Sequence, residues 1–396
     1  LCRFEGIRWL LTLSLLHVFI PPMRRRELLS VAGAATLMSS GCLRFTEPDS
    51  QGTTSSDIDS AESTPTRSPE STSNGQEDSS NTELELTTVW TRNDILGKSE
   101  CVSNSNGTYL GGNGEVTRLD PTNGEMIWKF STDSSGYEPK FVFADTGLLT
   151  QDSTTIRKLK YSNGDEQFAT KITSGTGSPI LQMPNQLLLC GLGGTVARAV
   201  DVTSGNIAWE IEDPLQDPLS AAGAVSGNVF LGTTNNMYRC DASSGKDVIQ
   251  VSNLPPEAIH IYENSLVLVG FALVKSLSLN DYSEKWAIDR MANIEHVQRI
   301  GNSLFIATST ELLRLDLQQQ DILWRSGIPA TIGGGFDVNE SIVWLGLMNG
   351  SIIALDSETG KERLQKSISD NSIRWVRSID NKILTTDGST VYGFTP

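Results

Sequence analysis

Residues 119–130 read LDPTNGEMIWKF: an apolar–Asp pair, a turn of Pro, Thr, Asn and Gly, and a tryptophan four residues beyond the glycine. Asp120, Gly124 and Trp128 therefore stand at offsets of zero, four and eight. The same frame returns as Asp201, Gly205 and Trp209 in VDVTSGNIAWEI. It returns again as Asp316, Gln320 and Trp324 in LDLQQQDILWRS, and as Asp356, Gly360 and Leu364 in LDSETGKERLQK. Looser copies are Lys160, Gly164 and Phe168; Asp241, Gly245 and Ile249; and Ser278, Tyr282 and Trp286, with Thr395 opening an eighth. Successive turn positions are 40, 41, 40, 37, 38, 40 and 39 residues apart. A period near forty, with four short strands per unit, specifies an all-β propeller.

The two ends of the repeat array fix the blade count. Trp90 fills the aromatic position of a copy that has no recognisable turn before it. The last copy, VYGFTP, stops before its own aromatic position. The two partial copies are complementary, so the strand around Trp90 is expected to complete the blade that ends at Phe394. Such closure leaves no free sheet edge to pair with other chains. The expectation is an eight-bladed propeller over residues 85–396.

Each position of the frame has a physical reason. Runs such as NVFLGTTNNMYRCD alternate apolar and polar residues in two stretches split by turn formers, which is a hairpin of half-buried strands. The Asp carboxylate can accept backbone N–H groups of the turn, and the glycine supplies a positive φ. The tryptophan on the outermost strand can pack on a neighbouring blade, where burial contributes roughly 2–3 kcal/mol and its N–H needs an acceptor. Asp120, Gly124, Trp128, Asp201, Gly205, Trp209, Asp316, Trp324, Asp356 and Gly360 are thus read as structural.

Charge and composition narrow the partners. The chain carries a formal charge of −16, with +3 on residues 1–42 and −19 on the rest. An acidic surface of this kind disfavours nucleic acid and anionic lipid head groups and suits life at high salt. From Met23 the sequence MRRRELLSVAGAATLMSSGC joins three arginines to a short apolar stretch and a small-residue approach to Cys42. This resembles a twin-arginine export signal with a lipoprotein cleavage site, so residues 1–42 are read as a leader and Cys42 as the lipidated residue. Residues 1–22 would then lie upstream of the natural start at Met23. Residues 43–84 are an acidic Ser/Thr-rich linker, nine acids against two arginines, too poor in apolar residues to offset the entropy of ordering. The predicted location is outside the cytoplasmic membrane, with the propeller tethered through lipid. Sequons begin at Asn106, Asn339 and Asn349.

Cys101, Cys190 and Cys240 form no CxxC or vicinal pair; a buried free thiol is expected at Cys240, with one disulfide among the three left open. His260 and His296 have no ligand set beside them in the sequence, so no metal site is expected.

The repeated apolar–Asp pair followed by TG or SG and Trp, as in RLDPTNGEMIW and ALDSETG, resembles the PQQ-like repeat. That resemblance implies an eight-bladed propeller and leaves two functions open. The family includes quinoprotein alcohol dehydrogenases, which would imply pyrroloquinoline quinone and calcium. It also includes non-enzymatic lipoproteins, one of which assists outer-membrane protein assembly. The chain lacks the vicinal cysteines and long insertions of many quinoproteins. The reading adopted is a non-catalytic, cofactor-free scaffold, monomeric, engaging an envelope or surface protein, a peptide or a glycan. The alternative is a quinone-dependent oxidoreductase acting on an alcohol or sugar.

Propellers bind at the loops entering their innermost strands. Those strands should begin about twenty residues before each turn position. That slot holds Lys140, Leu181, Ala221, His260, His296, Phe336 and Trp375, with Arg374 beside the last. Lys140, His260, His296 and Arg374 would give this acidic molecule a cationic mouth, with Phe336 and Trp375 as apolar contacts for an anionic or aromatic ligand. The glycine run Thr331–Phe336, TIGGGF, is read as a flexible connecting loop there.

Overall fold

The computed structural model describes residues 84–95, 100–132, 139–152, 154–172, 181–183, 187–190, 195–212, 215, 217–289, 291–339 and 341–396. The expected leader, Cys42 and the expected linker up to residue 83 lie outside the described residues. Within them the chain forms eight four-stranded antiparallel sheets and no helix. Seven sheets are consecutive meanders, spanning 100–131, 140–171, 181–211, 219–252, 258–288, 294–327 and 332–367. The eighth takes three strands from residues 375–395 and its outermost strand, Thr87–Arg92, from the opposite end of the array. Trp90 pairs there with Gly393 and Thr87 with Thr395, which closes the ring. Leu84 and Leu86 pack with Trp344, Ile373 and Phe394 beside this seam.

Contact between blades explains the forty-residue frame. The indole N–H of Trp90 donates to the Pro121 carbonyl of the next blade, that of Trp128 to Tyr161, that of Trp209 to Ala242 and that of Trp324 to Ser357, each at 3.0 Å. Every acceptor is the residue after a turn position. Each ring then lies flat on the turn glycine of that blade: a Cβ added at Gly124, Gly164, Gly245 or Gly360 would meet ring atoms at 2.6–2.8 Å. These glycines have φ of +66° to +73°, so the position demands glycine twice over, for backbone and for space. The turn itself is held by its first residue. The Asp201 carboxylate accepts the backbone N–H of Thr203 and Ser204, and that of Asp356 the N–H of Glu358 and Thr359.

The core lies between the blades. Strand faces alternate so that one side packs toward each neighbour, as in the cluster of Leu304, Ile306, Leu313 and Leu315 with Val267, Val269 and Val274 of the preceding sheet.

Candidate functional site at the channel mouth

The innermost strands of the eight sheets surround the central opening. Backbone register sets their depth. Lys140 pairs with Gln151, His296 with Ala307 and Trp375 with Thr386, each partner nine residues ahead of its turn position. His260 pairs with Val267 and Phe336 with Leu345, eleven residues ahead, so these two sit one pleat deeper than the others. The six candidate side chains therefore occupy two levels rather than one rim.

Lys140 is not a free cation. Its Nζ donates to Glu100 Oε2 of the neighbouring inner strand at 3.0 Å, with both side chains about nine-tenths buried. Glu100 stands twenty residues before Asp120, so applying the same offset to the first copy would have exposed this partner. The pair belongs to a polar belt linking inner strands. Gln298 Nε2 donates to Asp337 Oδ1 at 3.2 Å, the Ser378 N–H donates to Asp337 Oδ2 at 2.7 Å, and Arg377 Nε donates to the Cys101 carbonyl at 3.0 Å. Asn339, the asparagine of one sequon, donates its Nδ2 to Ser378 Oγ at 3.0 Å.

The histidines do not supply positive charge at neutral pH. Burial, then the nearby Arg299 guanidinium, pushes His260 down to about 4. Burial, then Arg377, does the same for His296. Both ring nitrogens of His260 lack hydrogen-bond partners, so its ring packs as a neutral polar group. Phe336 and Trp375, expected as apolar contacts at the surface, are only 6% and 1% exposed and pack between blades. They stabilise the ring and offer little to a ligand. Arg374 remains part-exposed at the head of the last inner strand, with its guanidinium against the Gly388 backbone.

The glycine run is a strand, not a flexible loop. Ile332–Val338 pairs with the next strand through a wide bulge, the register jumping from Ile332↔Leu347 to Phe336↔Leu345. Any side chain at Gly333 or Gly334 would strike the Ile373 and Arg374 carbonyls, so the glycines let the eighth blade's backbone close in. That close approach positions Arg374.

Donor chemistry here does not fit a quinone held with calcium. Of the inner-strand acids, Glu100 and Asp337 are satisfied by Lys140, Gln298 and the Ser378 N–H, and Glu295 is a single part-buried carboxyl that burial pushes up, away from the charged form a calcium ion needs. The turn acids are capped as well: hydrogen bonds from Ser243 and Ser244 hold Asp241 down to about 2, and those from Ser204 and Thr203 lower Asp201. Cys101 and Cys240 are fully buried thiols rather than half-cystines, and burial pushes Cys240 up to about 12, far from the nucleophilic thiolate.

Comparison with known proteins gives a fold. A family model described as outer membrane protein assembly factor BamB matches residues 112–258. The crystal structure of the computationally designed Ika8 protein superposes with a TM-score of 0.66 at 13% identity, covering 78% of this chain and 98% of that one. BamB from Moraxella catarrhalis superposes at 0.62 and 11% identity, covering 79% of this chain and 100% of that one. No curated protein matches the chain.

Proposed function

Since the chain is a β-propeller of PQQ-like repeats, we propose that it is a non-catalytic protein-interaction scaffold, held outside the cytoplasmic membrane by lipid on Cys42. The observation that carries this reading is how the reactive side chains are used. Glu100, Asp337, the turn acids Asp201, Asp241 and Asp356, both propeller histidines and two thiols are engaged in hydrogen bonds or buried in packing. The family model that matches residues 112–258 bears the name of an assembly factor, which supports a scaffold role. A closed ring is suited to it, because partners meet loops set on a rigid frame and little ordering entropy is lost on binding.

The working face in this reading is the channel mouth. Arg374 is its part-exposed cation, and Lys140, His260 and His296 shape the floor beneath. An envelope or surface protein bearing an acidic loop would fit it better than nucleic acid, which the charge of −16 repels. Cross-linking on intact cells at native salt, followed by mass spectrometry, tests the proposal. A reproducible envelope-protein partner joined to the mouth loops supports it. Tight uptake of pyrroloquinoline quinone with calcium, together with alcohol oxidation, would overturn it.

A further inference from the structure

One tryptophan-bearing junction lacks the lock that closes four others. Between the fifth sheet (258–288) and the sixth (294–327), the turn glycine is replaced by Gln320, which holds φ of +62° without making room for a ring. Trp286, the aromatic facing it, stays part-exposed, whereas Trp90, Trp128, Trp209 and Trp324 are 7–9% exposed. Among the described residues no indole bond runs from Trp286 to the Leu317 carbonyl, the counterpart of the acceptors used at the four locked junctions.

A second filler is missing at the same place. Two residues before the turn position, three other blades carry Arg118, Lys158 and Arg314. These reach across the junction to the carbonyls of Tyr161, Val202 and Ser357 at 2.8–2.9 Å. The fifth sheet has Ser276 there, directly paired with Trp286 and too short to span. Ser276 is fully buried and its hydroxyl has no hydrogen-bond partner.

The result is a cleft of about 130 Å³ lined by Ser276, Trp286, Glu263, Lys285, Gln318 and Gln320. At roughly 30 Å³ per water it holds about four waters, enough for one small ring with its far edge in solvent. Its chemistry is specific. Lys285 and Glu263 offset each other in charge, and Lys285 Nζ is anchored on the Asn264 carbonyl and Ser265 Oγ at 2.9 and 2.7 Å. Two exposed carboxamides, each donor and acceptor, share this lining with the part-exposed indole. An ion gains little from balanced charge, and a purely apolar ligand would displace water from the two exposed amides without replacing its hydrogen bonds. A ring with one apolar face and several hydroxyls meets all of these requirements. We propose that this cleft is a binding site for a neutral hexose unit of a glycan, separate from the channel mouth.

The probes are free D-glucose, D-galactose, D-mannose and N-acetyl-D-glucosamine, titrated into the full chain with tryptophan fluorescence as readout. A ligand of this size in a shallow cleft should half-saturate on the order of 1 mM. At least one of the four is expected to give a saturable change. Ser276→Arg, which restores the spanning side chain, and Gln320→Gly, which lets Trp286 seat, should each weaken binding at least about tenfold. Both replace a residue by the type that other blades carry, and unaltered circular dichroism and Tm would show the ring intact. No saturable response to any of the four sugars overturns the proposal. So does undiminished binding in both variants.

Discussion

Replacing Gly360 by alanine tests the lock between blades. In the structure Gly360 has φ of +68°, and an added Cβ would sit 2.6 Å from Trp324 Cε3. A left-handed alanine costs about 1–2 kcal/mol on its own. The displaced indole also loses its bond to the Ser357 carbonyl, about 1 kcal/mol, and a share of the roughly 2–3 kcal/mol of its burial. The total expected is about 3–5 kcal/mol. In a Trp324→Ala background the same change meets no ring and should cost only the backbone part, about 1–2 kcal/mol. Gly301→Ala provides the reference, because φ is +58° there and nothing lies within 4 Å of the added carbon. Urea unfolding at constant m-value, arranged as a double-mutant cycle, reads the coupling as about 2–3 kcal/mol. If the cycle is additive to within about 0.5 kcal/mol, the ring and the glycine do not form one device and the reasoning fails.

Three further outcomes are expected. Lys140→Met strands the buried Glu100 carboxylate and should destabilise by about 3–5 kcal/mol in denaturant, with Glu100→Gln in the same chain recovering much of the loss. His260 and His296, held down to about 4, stay neutral in the fold while the unfolded chain protonates near 6.5. Unfolding therefore takes up protons as pH falls, and stability drops through the window from about 6.5 to 4, at roughly 1.4 kcal/mol per unit for each histidine. Tm should fall less steeply over that window in His260→Leu, with the His296 contribution remaining; an unchanged slope would contradict it. A chain beginning at Asn93 leaves Val391–Thr395 as an open edge, and light scattering should show it aggregating where the longer chain does not.

Much of the fold can be read from the repeat alone. The spacing of Asp120, Gly124 and Trp128 marks outer strand and turn, and the offset between Trp90 and Phe394 announces ring closure. Side-chain facing is what the spacing leaves out. An offset of twenty places Trp375 and Phe336 on innermost strands, but strand alternation and the bulge at Gly333–Gly335 decide which neighbour each one meets. Both turn into the core. Lys140 reads as a free cation until Glu100, forty residues away on an adjacent strand, is brought to 3.0 Å. The glycine missing at Gln320 is visible in the sequence. Its consequence is not, because the space it should create belongs to Trp286 of the preceding blade.

The scaffold reading is tested most directly by a photo-reactive amino acid placed at two ends of one strand in living cells. Residue 374 heads the inner strand Trp375–Ile379 at the mouth, and exposed Asp380 follows it at the opposite end. The account predicts a discrete covalent adduct with a single envelope protein from position 374 and none from position 380. Adducts from 380 alone, or the same pattern from both, would contradict it.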